Sequence, residues 1–227
     1  MKYYYNLLSQ PSRALYIFLK LNNIPVEYKD VNLLNGDHLT DEFREINRFQ
    51  KVPCIVDDDG WKLAESIAIL RYLMSKYKNI PDHFYPSEIR ARAAVDEYLE
   101  WQHLNTRLGC AIYFQIKKKI GPFAAISENP NEGALPIFKF LMESTLEAIE
   151  TLWLRGKKFL CSDEISFADI IAACEIEQPR MTGYDIFENR PKLKEWYERV
   201  RAATNPHYDE AHVIVNKIIA RSQKAKL

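Results

Sequence analysis

The 227-residue chain has no excess of charge of either sign, with Lys plus Arg and Asp plus Glu numbering 31 each. Binding along a phosphate backbone needs a basic surplus, so nucleic acid is not an expected partner. Glycine is scarce, seven in all, and no cluster of them forms a loop able to cradle a phosphate. Long apolar runs are missing as well. The longest, Ala14 to Leu19, has six residues, against the roughly 18–20 of a membrane-spanning helix, so no membrane span is expected. Pro11 and Arg13 interrupt the region where a signal peptide would carry its apolar stretch, which argues against secretion. The four cysteines, Cys54, Cys110, Cys161 and Cys174, are widely spaced and include no Cys-x-x-Cys pair. That excludes a zinc ribbon and a disulfide framework and leaves them as buried free thiols.

Two catalytic classes are absent on the same kind of reading. No serine lies in a Gly-x-Ser-x-Gly elbow, so a Ser-His-Asp hydrolase has no marked nucleophile. Among His38, His83, His103, His207 and His212 no pair has the i, i+4 spacing of a zinc helix. What remains is a chain of ordinary globular composition, 47% hydrophobic and 27% charged, long enough for one large or two small domains.

The first third mixes short strand and helix patterns. The aromatic run Lys2 to Leu7 favours a strand. A helix follows, with Pro11 suited to its first turn and Ala14, Ile17, Phe18 and Leu21 on one face, ended by Ile24-Pro25. Residues 26–31 read as a second strand and 41–47 as a brief helix. Asp57-Asp58-Asp59-Gly60 joins two short strands, 53–56 and 61–63, as a hairpin connection would. A helix over 65–76 completes an α/β unit of about 78 residues. The proline-broken stretch 79–87 reads as a linker between domains 1–78 and 88–227. Beyond it only helical patterns occur, over 89–119, 136–154, 166–181, 191–204 and 210–224, with a Pro/Gly/Asn-rich loop over 121–136. In the second of these helices Ile137, Leu141, Ala148 and Leu152, flanked by Phe140 and Ile149, read as the core-facing stripe.

The N-terminal strand leads into Ser9-Gln10-Pro11-Ser12, serines at a helix start where N–H groups and the dipole favour negative charge. A redox protein of thioredoxin type would carry cysteines there. Serine excludes dithiol exchange and leaves a hydroxyl able to donate to an anion such as a bound thiolate. Ser12 reads as a local structural residue, since serines commonly cap helices.

Leu8-Ser9-Gln10-Pro11-Ser12-Arg13-Ala14, Asn47-Arg48-Phe49-Gln50-Lys51-Val52-Pro53 and Glu65-Ser66-Ile67-Ala68-Ile69 closely resemble the cytosolic glutathione transferases of the theta class. Tyr98 to His103 and Asn205 to His212 resemble arthropod theta-class sequences, so the likeness runs through essentially the whole chain. The resemblance implies a thioredoxin-like α/β domain followed by an all-helical domain. Ser166-Phe167-Ala168-Asp169 resembles the family's N-capping motif, with Ser166 and Asp169 bonding reciprocally.

The resemblance also implies the chemistry. Ser9 matches the residue that activates the glutathione thiol. Glu65 and Ser66 match the site of the γ-glutamyl group, Val52 and the cis-proline Pro53 that of the cysteinyl backbone, and His38 and Lys51 that of the glycyl carboxylate. Arg107 matches an arginine near the sulfur in some theta enzymes, with a helical surface ion pair as its alternative. Leu8, Leu34, Tyr113 and Phe114 are candidates for an apolar electrophile pocket between the domains. Organic halides, hydroperoxides and sulfate esters are the implied substrates, glutathione is a co-substrate, and no cofactor or metal is called for. A cytoplasmic homodimer is implied, although the terminal Ala225-Lys226-Leu227 loosely resembles a peroxisomal address. A non-catalytic transferase-like interaction module and a cysteine-dependent thiol reductase are the rival classes; Ser9 and the Glu65-Ser66 pair speak against the first, the missing thiol against the second.

Overall fold

The structure, a computed structural model, describes residues 1–120 and 133–224. The N-terminal part runs β1 (Lys2–Tyr5), α1 (Gln10–Leu21), β2 (Glu27–Asp30), α2 (Asp41–Ile46), β3 (Cys54–Val56), β4 (Lys62–Ala64) and α3 (Ser66–Lys76). Its sheet has the order β2-β1-β3-β4, with β1 parallel to β2 and antiparallel to β3, and β3 antiparallel to β4. Alternation along β1 sorts its tyrosines by face. Tyr3 is fully buried and stacks on Tyr5, with Tyr28 against both edge-on, while Tyr4 meets Phe43 of α2 on the opposite face. The Tyr3 hydroxyl donates to Ser12 O at 2.7 Å and so ties β1 to the first turn of α1.

The rest is helical: α4 (Ile89–Trp101), α5 (Leu108–Lys118), α6 (Ala134–Ala148), α7 (Phe167–Arg180), α8 (Pro191–Thr204) and α9 (His207–Lys224). This is the thioredoxin-like domain and all-helical domain implied by the resemblance. The α7 helix is buried on every side from Phe167 to Pro179 and packs against α1. Phe18 of α1 meets Phe84 and Phe167 edge-on at 5.4 and 5.5 Å, so one aromatic junction joins the two halves. Arg71 of α3 pairs with Asp96 of α4, which also accepts from Tyr85.

Several expectations need correction. The single helix over 89–119 is two, α4 and α5, joined by a π turn at His103–Arg107, where the backbone bonds shift by one residue. The pattern over 136–154 likewise gives α6 and then a π turn at Ile149–Trp153. Of the loop expected over 121–136, residues 121–132 lie outside the described residues, and 134–136 belong to α6, where Pro136 in the first turn forfeits no helical bond.

A further correction concerns the α6 stripe. Ile137, Phe140 and Leu152 are 61%, 68% and 67% exposed and Leu141 is 37% exposed; Met142, Thr145, Leu146 and Ile149 are buried. The helix is apolar on more than one side, so periodicity alone admits two faces. Gly109 of α5 decides between them. A Cβ there would lie 3.1 Å from the Met142 Cα, tighter than an ordinary contact, so glycine favours close approach of α6 along the Met142 face. The last helix begins at His207, three residues before the expected start, with Asn205 accepting from the Asp209 N–H. Residues 225–227, which carry the possible targeting tripeptide, lie outside the described residues. Cys54, Cys110 and Cys174 are buried free thiols and Cys161 is a partly buried one; burial pushes Cys54, Cys161 and Cys174 up to about 12 and Cys110 well above the ordinary thiol range.

Candidate active site

A short segment between β1 and α1 presents Ser9. Asn6 shapes it: its backbone carbonyl accepts from Ser9 N at 3.0 Å and its side-chain oxygen from Leu8 N at 3.1 Å, while its amide donates to Asp30 at 3.1 Å. Ser9 is the N-cap of α1, and its Oγ accepts from Ser12 N at 3.4 Å. The same hydroxyl donates to Val52 O at 3.4 Å. Both contacts are at the long limit of a hydrogen bond, so the hydroxyl is not committed to a strong internal partner. Ser12 is fully buried, and its hydroxyl finds no partner among the described residues.

Across from Ser9 the Val52–Pro53 bond is cis, with Pro53 buried and Lys51 exposed beside it. Asn47 supports this turn by donating to Lys51 O at 2.6 Å. The Val52 carbonyl, at the position matched to the cysteinyl backbone, accepts from the Ser9 hydroxyl. His38 lies in a one-turn helix, Asp37–Leu39, and its buried Nδ1 has no partner among the described residues.

On the remaining side, Glu65 adopts positive φ (67°) immediately before α3 and stands exposed, while Ser66, the first residue of α3, is 3% exposed. Arg107 reaches this corner from the π turn. It donates to Ser66 Oγ at 3.4 Å, and its Nε pairs with Glu175 Oε1 at 3.1 Å. Glu175 has no exposure, and burial pushes its carboxyl up to about 7 against the lowering effect of Arg107. The ion pair is internal rather than on a helical surface, and the fork of Arg107 also bonds at Ser66. Burial, with Arg107 nearby, also holds His103 below the ordinary histidine range.

The four candidates for the apolar pocket lie in different surroundings. Leu34 is 83% exposed on a turn. Tyr113 is packed in the main core, edge-on to Tyr184, and Phe114 lies one residue round the helix against the Met181, Val215 and Ile219 cluster. Leu8 alone borders Ser9. Consecutive positions on a helix differ by about 100° in direction, so Tyr113 and Phe114 cannot face one pocket equally.

Sequence reasoning passed over Asn6, Gln178 and His212 as neighbours of this loop. Gln178 donates to Leu8 O at 3.4 Å from α7, a separation of 170 residues. Only a polar residue inside an otherwise buried helix hinted at it.

Comparison with known proteins agrees with this geometry. The family profiles described as Glutathione S-transferase, N-terminal domain and C-terminal domain match residues 1–75 and 142–203. Human glutathione S-transferase theta-1 is 42% identical over 218 residues, 96% of this chain and 89% of the relative. Mouse glutathione S-transferase theta-2 is 37% identical over 230 residues, covering 100% and 91%. The solved structure of a human theta-class glutathione transferase with the glutathione conjugate of 1-menaphthyl sulfate superposes with a TM-score of 0.87 at 38% identity, covering 100% of this chain and 91% of that one. With its sheet topology, helical domain and near full-length likeness all in accord, the chain belongs to the theta class of the glutathione S-transferase family.

Proposed function

We propose that this transferase joins glutathione to small hydrophobic electrophiles by a serine-assisted thiolate mechanism. The observation that supports it is the Ser9 hydroxyl: at the N-terminus of α1, opposite the Val52–Pro53 turn, and held among the described residues only by two 3.4 Å contacts. A thiolate accepts a hydrogen bond more strongly than a thiol does, so a donor there lowers the thiol pKa. A two-unit drop from about 8.5 is worth about 2.7 kcal/mol. The thiol proton leaves to solvent. The sulfur lone pair then forms the new bond to carbon as the carbon–halogen bond breaks, and halide departs with that bond's electrons.

The other partners follow from the same reading. Val52 offers backbone groups to the cysteinyl unit, with Pro53 turning the chain away. Ser66, at the start of the eleven-residue α3, and Glu65 hold the γ-glutamyl group, and Arg107 adds charge at that end. Lys51 and His38 meet the glycyl carboxylate. Residues 1–78 form the glutathione-binding domain and 88–227 the wall on the electrophile side. Organic hydroperoxides are a second substrate class, and the protein works as a cytoplasmic homodimer, as the family resemblance implies.

The test is a titration of bound-glutathione thiolate absorbance for the wild type and Ser9→Ala, with turnover on a small organic halide alongside. The wild type should show a lowered thiol pKa. Ser9→Ala should return it toward the free value and cut kcat at least about tenfold while altering glutathione affinity far less. Unchanged turnover in Ser9→Ala removes serine from the mechanism.

A further inference from the structure

Arg13, in the first turn of α1, is fully buried, yet it belongs to no ion pair among the described residues. Its Nε donates to His212 Nε2 at 3.0 Å. One terminal nitrogen donates to Leu7 O at 2.9 Å and Leu8 O at 3.3 Å, and the other to Cys174 O at 2.7 Å. All four acceptors are neutral. His212 is itself buried, and its Nδ1 lies 2.7 Å from Tyr208 O, which can only accept. The ring proton is therefore on Nδ1, and Nε2 offers Arg13 a lone pair. Burial, followed by the nearby guanidinium, holds His212 well below the ordinary histidine range and so keeps the ring uncharged.

The carboxylates on the helices packed against α1 are already committed elsewhere. On α7, Glu177 pairs with Arg180 at 2.8 Å and accepts from Tyr197 and Tyr208, and Glu175 pairs with Arg107. On α9, Asp209 pairs with Arg201 and Glu210 with His207. A buried cation with only neutral partners is costly to keep, and its field is weakly screened by its surroundings. The Leu8 carbonyl that Arg13 holds belongs to the peptide bond carrying the Ser9 nitrogen. The charge thus sits one peptide unit from the hydroxyl, whereas Arg107 is drawn to Glu175 and Ser66 on the far side of the site.

We propose that Arg13 is a positioning residue for the thiolate: it fixes the Leu7–Leu8 segment that presents Ser9. Left without an anionic partner by His212 of the C-terminal helix, it also supplies the positive field that favours sulfur as an anion. This rests on the reading of Ser9 given above. It makes α9, whose His212 lies 199 residues from Arg13 in sequence, a determinant of thiol activation.

The pair His212→Gln and His212→Glu tests it. Glutamine accepts from Arg13 and leaves the charge uncompensated; glutamate gives Arg13 a carboxylate. In the bound-glutathione titration, His212→Gln should stay within a few tenths of a pH unit of the wild type. His212→Glu should raise the thiol pKa by about one unit, about tenfold less thiolate at a pH below both values. A folded His212→Glu protein with the wild-type titration overturns the proposal. So does a His212→Gln protein that loses activation as fully as His212→Glu, because ring packing rather than charge would then be responsible. Should His212→Glu fail to fold, Arg13→Gln removes the charge directly and must give the same rise; a folded Arg13→Gln protein without it overturns the proposal equally. A wild-type protein with no lowered thiol pKa removes the Ser9 reading, and this one with it, before any variant is compared.

Discussion

Glu175 is a carboxyl group with no access to water and a single guanidinium for a partner. Its second oxygen has no hydrogen bond among the described residues, which is why burial outweighs Arg107 and lifts the group from its ordinary 4.5 to about 7. Because the folded-state value is the higher, the folded protein holds the extra proton between about pH 4.5 and 7. The contribution to stability is complete below the unfolded value and is lost as pH rises through about 7. Glu175→Gln cannot ionise, so its stability relative to wild type should improve by on the order of 2 kcal/mol between pH 5 and pH 8. Urea unfolding at the two pH values measures this, and parallel profiles would rule it out. At this scale Ser9, Ser66 and Val52-Pro53 were legible, because each sits in a short contiguous motif. Arg107 was legible as a residue but not as a contact: Glu175 lies 68 positions away, and no local pattern joins them.

Helix α7 shows what a single capping residue does once an element is buried. Ser166 donates to Asp169 Oδ2 from both its backbone N, at 2.8 Å, and its hydroxyl, at 2.9 Å, the reach-back that the Ser166–Asp169 motif implied. Asp169 Oδ1 also accepts from Leu160 N and Trp196 Nε1, each at 2.8 Å, which the motif did not foretell. Asp169→Ala therefore strands donors from three segments. The expected loss is about 3 kcal/mol or more, above the roughly 0.5–2 of a lost cap, with activity per folded molecule retained. Denaturant midpoints and specific activity check both halves of that statement; a loss under 1 kcal/mol would leave the cap as the main role. Element identity was largely readable, since the first α/β unit and the late helices follow clear periods. The face of α6 was not, because two apolar stripes compete on it and the glycine that chooses between them lies on another helix.

Over the whole molecule, α1 packs on α7, Phe18 bridges Phe84 and Phe167, and Arg13 bonds to both α7 and α9. The two halves should consequently unfold as one unit. A variant retaining only Trp61 and one retaining only Trp196 report on the two halves, and their unfolding midpoints should coincide; separated midpoints would show independent domains. Phe18→Ala should lower both together, by about 3–5 kcal/mol, because it empties the shared junction.

Length, charge balance and the absence of spans, cysteine pairs and glycine loops bounded this protein from sequence alone, since those properties are sums over residues. The order of strands and helices and the placement of Ser9 at a helix start were also determined there, by periodicity and capping that act within a few residues. The tertiary structure decided which face of α6 is buried, where Arg107 bonds and why Arg13 has only neutral partners among the described residues. Each of these depends on groups far apart in the chain, and only packing brings them within the few ångströms over which hydrogen bonds and buried charges act.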